Sequence, residues 1–484
     1  MQFSSIRRDW APHPTRELLA GAVATFALIP EVIAFSFVAG VDPQVGLFAS
    51  FIIGIVIAFA GGRPAMISAA AGSVALVAAP LVHSHGLPYL LAAGVLAGLL
   101  QILFGVLRLG VLMRFVSKSV RTGFVNALAI LIFWAQMPHI LGGSWLTYAV
   151  LAAGLAIIYL VPRIATAVPS PLICILVLTV ACAVLQLPVE TVADLGHLPD
   201  GLPFFSWPAV PLTLDTLLII AGPALAIAMV GLLESMMTAS VVDDLTDTTS
   251  SKNRECSGLG VANVASSLFG GIAGCGMIGQ TVSNVKYGGR GRLSTLFAGA
   301  FLLLLMVALK PWVSQVPVAA LVAIMVMVSI DTFDWSSLRS VVVHPKTSSA
   351  VMALTVLVTV VTSNLALGVA VGVVLSGVFF AFKVARLLDV QTEREAARLT
   401  YRVKGQVFFA SADAFIDAFD IVAAEGMSVV IDVTGAHFWD ITAVAALDRV
   451  VQRYRAHDVP VEVRGLNAAS TILIDQLDGA AKAA

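Results

Sequence analysis

Fourteen apolar segments follow one another through the first 388 residues, separated by short stretches of Gly, Pro and charge. They fall near 17–40, 44–60, 65–83, 88–107, 115–136, 146–161, 169–187, 213–240, 256–270, 274–288, 293–309, 316–330, 347–363 and 365–383. A helix that crosses a bilayer needs about 20 apolar residues, and fewer where it is broken. No aqueous core can hide so many runs. Of the 484 residues, 59% are hydrophobic and 12% charged, against about half and a quarter in soluble domains. Lipid is therefore the solvent. Non-helical backbone is then confined to places enclosed by protein.

The positive charges test this count. With the N-terminus (Arg7, Arg8, Arg16) inside and fourteen crossings, the inner side also receives Arg63, Arg108, Arg114, Lys118, Arg121, Arg163, Lys252, Arg254, Lys286, Arg290, Arg292, Arg339, Lys346, Lys383 and Arg386. The outer side receives Lys310 alone, and the long outer loop 188–212 holds Glu190, Asp194 and Asp200 but no Lys or Arg. Cytoplasmic loops collect Lys and Arg, so both ends are expected in the cytoplasm of a multi-pass membrane protein. The start, MQFSSIRRDW, has no signal-peptide pattern. A net charge of −1 without a basic domain excludes a nucleic-acid partner. Cys174, Cys182, Cys256 and Cys275 form no CxxC pair and read as packing residues. His83, His85, His139 and His344 have no metal-ligand spacing, so neither a metal nor a cofactor is expected.

After residue 388 the pattern becomes that of a soluble domain. Val407–Ala410, Val429–Val433 and Val459–Arg464 read as strands, and 412–424, 440–456 and 468–477 as amphipathic helices. The chain thus divides into 1–388, a membrane domain, and 389–484, a small α/β domain.

Two acids lie inside apolar spans: Glu31 in LIPEVIAFSFVAG and Glu234 in MVGLLESMMTA. A carboxylate at mid-bilayer costs about 2.5–3.5 kcal/mol even on permissive scales, so each is a functional candidate. The bland alternative is a protonated acid bonding between helices. Pro30 withdraws an N–H beside Glu31 and marks a bent or interrupted helix. The third and tenth segments, GGRPAMISAAAGSVALVAAP and GGIAGCGMIGQTVSNVKYGG, are dense in small residues. Both read as an extended piece followed by a half helix, starting near Gly72–Ser73 and near Gln280–Thr281. A half helix that starts within the membrane exposes free N–H groups and a positive dipole end, a site for an anion. Small residues also serve close helix packing. A weak repeat favours the half helices. Glu31 lies 41 residues before Gly72 and Glu234 lies 42 before Gly276. Seven spans separate the copies, and an odd number inverts the second. Matching broken segments in two inverted halves point to a transport site.

The stretch GLLESMMTASVVDDLTDTTSSKNRECSGLGVANVASSLFGGIAGCGMIGQTVSNVKYGGRGRLS, Gly231 to Ser294, closely resembles the signature of the sulfate permease anion transporters. IPEVIAFSFVAGVDPQVGLFAS is similar to that family's first-span motif, and VVIDVTGAHFWDITAVAALDRV to its STAS domain. The resemblance implies an all-α membrane domain of 14 segments in 7+7 inverted repeats, its two half helices preceded by short strands. It implies a core (spans 1–4 and 8–11) moving elevator-like against a gate (spans 5–7 and 12–14), in a homodimer. Substrate would sit between the half helices of spans 3 and 10, near Gly72, Ser73, Gln280 and Thr281. Proton coupling would fall to Glu31 and Glu234.

Many members carry Arg-Ser or Arg-Thr where this chain has Gln280-Thr281, and Pro-Thr near Ala70-Ala71-Gly72-Ser73. Without that fixed cation, helix ends must attract the anion and a proton on an acid balances charge. This resembles bacterial proton-coupled C4-dicarboxylate carriers. The expected activity is therefore H⁺-coupled symport of a dicarboxylate such as fumarate. Sulfate or bicarbonate transport (H⁺- or Na⁺-coupled), exchange and a passive channel remain the alternatives. Lys286 reads as a membrane-edge anchor. In the STAS-like domain, Asp440-Ile441-Thr442 falls where related regulators present a phosphorylatable Ser or Thr, and Ile441 weakens that match. No enzyme motif is visible.

Overall fold

A computed structural model describes residues 9–163, 169–198, 201–343, 345–395, 397–467 and 470–471. His344, Asp200, Arg7, Arg8 and most of the helix expected at 468–477 lie outside them. The chain forms two compact units, Met1–Val373 and Val374–Ala484, with the second half of the last membrane helix counted in the second unit.

Each of the fourteen apolar segments holds one labelled helix. These are α1 (Pro14–Ala39), α2 (Pro43–Ala60), α3 (Gly72–His85), α4 (Leu87–Val106), α5 (Lys118–Leu141), α6 (Trp145–Leu160), α7 (Ser170–Val184), α8 (Leu214–Thr246), α9 (Lys252–Leu268), α10 (Ile278–Lys286), α11 (Arg292–Ala308), α12 (Val318–Thr332), α13 (Lys346–Thr362) and α14 (Leu365–Ala385). Short helical turns at Val192–Leu195, Lys310–Val313 and Ser336–Val343 lie between them. By length and apolarity, eight helices among the described residues suffice to cross a bilayer. Their starts are set by local chemistry. Proline occupies the first turn of α1, α2, α4 and α7, where its missing N–H costs nothing. The hydroxyls of Ser117, Ser144 and Thr213 accept from the first turns of α5, α6 and α8. Of the bend or interruption anticipated at Pro30, the interruption does not occur, since α1 runs through it.

The helices of the first unit pack in two groups. In one, α1–α4 and α8–α11 interlock: α9 lies along α4 and α2, α11 along α1 and α2, and α8 along α4. Backbones touch there because small residues face each other. A Cβ at Gly98 (α4) would lie 2.6 Å from the Gly260 carbonyl oxygen, and one at Gly260 (α9) would lie 2.5 Å from that of Gly98. In the other group, α12 packs on α5 and α6, α13 on α5, and α6 on α7. Its outer faces expose large apolar side chains such as Leu176, Val180, Leu357 and Val361, which lipid solvates.

The helical ladder is interrupted twice, at β1 (Ser68–Ala70) before α3 and β2 (Gly274–Gly276) before α10. The two strands pair antiparallel, Ser68 with Gly276, Ala69 with Cys275 and Ala70 with Gly274.

The second unit contains a four-stranded sheet ordered β3 (Asp389–Glu395), β4 (Arg398–Val407), β5 (Ser428–Phe438), β6 (Val461–Arg464). The β3–β4 pair is antiparallel and the other two pairs are parallel. Helices α15 (Ala412–Asp417) and α16 (Ile441–Arg455) pack on each other, and Phe415, Phe438, Tyr401 and Tyr454 fill the core. The strand expected at Val407–Ala410 lies earlier: Leu399, Tyr401 and Val403 alternate inward along β4, and the chain turns after Val407. β3 lacked a signal because it is almost wholly exposed and charged. Asp440 caps α16 by accepting from Ala443 N–H at 2.8 Å.

Candidate functional site

Two three-residue strands deep in an apolar bundle leave outer backbone groups that water cannot reach. Side chains from the surrounding helices satisfy them. On β2, Asn263 of α9 accepts from Gly274 N–H (2.8 Å) and donates to the Gly274 carbonyl (3.1 Å) and to Gln101 of α4 (2.9 Å). Ser235 of α8 accepts from Gly276 N–H, and Thr238 donates to its carbonyl, both at 2.9 Å. On β1, Ser50 of α2 accepts from Ala70 N–H at 3.2 Å. A Cβ at Gly274 would overlap the Ala69 carbonyl, so the crossing requires glycine there.

From this crossing α3 and α10 emerge with their first turns open. α3 begins at Gly72, as the sequence suggests. α10 begins at Ile278, two residues before the expected Gln280. First-turn N–H groups have no intrahelical acceptor, and each helix end carries about half an elementary positive charge.

Both ends border a cavity of about 540 Å³. Glu31 of α1, Gly72 and Ser73 of α3, Glu234 of α8 and Gln280 of α10 line it, with Met277, Ile278 and Gly279 beside them. The opposite wall comes from the second group of helices: Phe124 and Leu128 of α5, Ser170 of α7, and Met327, Asp331 and Thr332 of α12. No Lys, Arg or His lines it among the described residues. The acids differ in surroundings. Glu234 is 9% exposed and accepts from the Ser73 hydroxyl and, at 3.0 Å, from the Cys275 thiol. Glu31 is half-buried beside the Gln280 amide. Asp331 is exposed.

Five of the six residues singled out from sequence thus meet at one cavity; Thr281 does not. Its hydroxyl accepts from Ile67 N–H (2.9 Å) and donates to the Ile67 carbonyl (3.3 Å), and its own N–H bonds the Met277 carbonyl (3.1 Å), so it ties α10 to the residue before β1 and has no donor left for a ligand. Ile278 and Gly279 replace it in the open first turn. Lys286 is exposed at the far end of α10, away from the cavity. Asn284 holds Ala65 and Ser294.

Sequence reasoning missed Asp331, which reads as a span-end acid, and the clamp formed by Asn263, Gln101, Ser235 and Thr238. Isolated polar residues in apolar runs were the available signal. Two further acids near span ends prove to be buried braces. Glu17 accepts from the N–H groups of Arg290 (2.7 Å), Gly291 (2.8 Å) and Ser294 (3.2 Å), and Glu255 from those of Gly62 (2.7 Å) and Arg63 (3.1 Å).

The sequence matches the sulfate permease family over residues 15–150 and 144–359, and the STAS domain over 388–480. It is 50% identical over 473 residues to "Putative sulfate transporter YbaR" of Bacillus subtilis (strain 168), covering 98% of this chain and 99% of that one. It is 29% identical over 431 residues to the bicarbonate transporter BicA of Picosynechococcus sp., covering 81% and 73%. Among solved structures, the transmembrane domain of a cyanobacterial BicA aligns with a TM-score of 0.65 at 26% identity, covering 75% of this chain and 97% of that one. The murine Slc26a9 anion transporter in an inward-facing state aligns at 0.84, covering 96% and 87%; at 16% identity that likeness speaks to the fold.

Proposed function

Because the chain belongs to the sulfate permease family and carries a C-terminal STAS domain, we propose that it is a secondary active transporter coupling protons to the uptake of a small carboxylate, a dicarboxylate such as fumarate. The observation that carries this reading is the make-up of the cavity. Its anion donors are the backbone N–H groups of two half helices, and all its ionisable side chains among the described residues are acids. An anion entering beside two ionised carboxylates in a low-dielectric site is repelled, and a proton on Glu31 or Glu234 removes that cost. Anion and proton then each tighten binding of the other by the same factor.

Translocation follows from the two groups of helices. α1–α4 and α8–α11 carry both half helices and are braced by buried polar clamps, so they move as one core with the anion aboard. α5–α7 and α12–α14 act as the gate, in a homodimer. The charge pattern orients both ends to the cytoplasm of the inner membrane. Acid exposure rises from Glu234 through Glu31 to Asp331, consistent with a water path from the cytoplasmic ends of α7 and α12.

Purified protein in liposomes tests this. Radiolabelled fumarate should accumulate when the outside is made acidic, and Glu31→Gln and Glu234→Gln should each flatten that pH dependence. Accumulation driven by Na⁺ and indifferent to the pH gradient would refute proton coupling. Uptake of sulfate or bicarbonate without fumarate would favour the activities for which the relatives are named.

A further inference from the structure

Asp331 occupies the last turn of α12, where a carboxylate meets the negative end of the helix dipole. Such a placement is unfavourable unless something repays it. Three acids elsewhere in this unit are repaid. Asp334, three residues on, accepts from Ser336 N–H (3.1 Å) and hydroxyl (2.5 Å), and Glu17 and Glu255 hold backbone N–H groups. Asp331 makes no hydrogen bond or ion pair with any described residue, is exposed, and lines the cavity from the gate side.

We propose that Asp331 is a charge filter of the anion site: it makes the cavity favour singly charged anions, and admit a dianion chiefly after that anion has taken up a proton. This rests on the transport reading above and names the charge class of its cargo. The two half-helix ends together present roughly one positive charge. With Glu31 and Glu234 carrying protons, a monoanion neutralises that charge. A dianion leaves an excess negative charge facing Asp331, with no lysine, arginine or histidine lining the cavity to offset it. Across a cavity of this size, one extra elementary charge roughly 8 Å away at an effective dielectric constant of about 30 changes occupancy about tenfold. A dicarboxylate can shed a charge by protonation in mildly acidic water, whereas sulfate keeps both. The filter therefore separates those two cargoes.

The test compares uptake by wild type, Asp331→Asn and Asp331→Glu in liposomes at neutral pH. One pair of probes is chloride and sulfate; the other is monomethyl fumarate and fumarate, which share a carbon skeleton and differ in charge. Asp331→Asn should raise the dianion-to-monoanion ratio about tenfold in each pair, and Asp331→Glu should keep the wild-type ratio. Asp331→Ser supplies a second neutral side chain if the Asn variant fails to assemble. An unchanged ratio in the neutral variants, or the same rise in Asp331→Glu, overturns the proposal. Absence of both fumarate probes from wild-type uptake would sink the carboxylate reading, while the chloride–sulfate ratio would still decide the filter.

Discussion

The two half helices each follow one strand of the same antiparallel pair, yet their ends are built differently. At α3 the first turn is crowded by side chains. Ser73 is engaged by Glu234, Cys275 bonds the same carboxyl oxygen, and a Cβ at Gly72 would lie 2.6 Å from the Phe35 ring. At α10 it is open. A Cβ at Gly279 would meet nothing within 4 Å, and Gln280 faces a half-buried Glu31. The strands leading into them differ in the opposite sense: β2 is gripped by Asn263, Ser235 and Thr238, and β1 by Ser50. The open end thus stands on the firmer footing. This arrangement suits an anion landing first on Ile278–Gln280 while α3 and Glu234 hold the back wall.

The contrast can be broken most forcefully at its footing. Asn263→Ala leaves the Gly274 N–H and carbonyl and the Gln101 amide oxygen unpaired in an apolar interior. It should cost about 3 kcal/mol or more, against about 1 kcal/mol for Ser50→Ala. Thermal unfolding of the purified proteins ranks them, and equal losses would remove the asymmetry. Next come the acids. Glu31→Gln should flatten the pH response of accumulation to what the anion's own protonation supplies, while Glu234→Gln should in addition lower uptake at every pH by about tenfold, the effect of losing roughly 1.4 kcal/mol at a charge-assisted bond. A normal pH response in Glu31→Gln with a lost one in Glu234→Gln would exchange their roles.

Glycines sharpen the contrast further. Gly72→Ala forces the Phe35 ring aside and should destabilise by about 1–3 kcal/mol. Gly279→Ala should fold as wild type and raise KM several-fold, because its new methyl enters the open end. The smallest effect is expected at Thr281→Val. Losing the bond to Ile67 should cost about 1 kcal/mol of stability and leave KM unchanged, whereas a clear rise in KM would return Thr281 to the site.

Much of this was legible in the sequence, for physical reasons. Apolar runs and their punctuation located the helices because lipid tolerates no other backbone. The small-residue patches located the breaks, because only such residues let strand and helix backbones cross as Gly274 crosses Ala69. Pairing was not legible. Three-residue strands carry no periodic signal, and Asn263 looks like any polar residue in a helix until its partner Gly274 is known. The bond of Thr281 was not legible, because its hydroxyl suits a ligand as well as the Ile67 backbone it holds. Asp331 escaped notice because a span-end acid ordinarily sits in water, and only the fold turns it toward Ser73 and Gln280 across one cavity. The charged edge β3 was silent because exposed strands do not alternate.

The most direct measurement is an anomalous difference map from crystals soaked in bromide, a monoanion that stands in for cargo. A peak is expected within hydrogen-bond distance of the N–H groups of Ile278, Gly279 and Gln280, on the cavity side facing Gly72 and Ser73. A cavity left empty while bromide occupies surface lysines and arginines would contradict anion capture by the broken-helix ends.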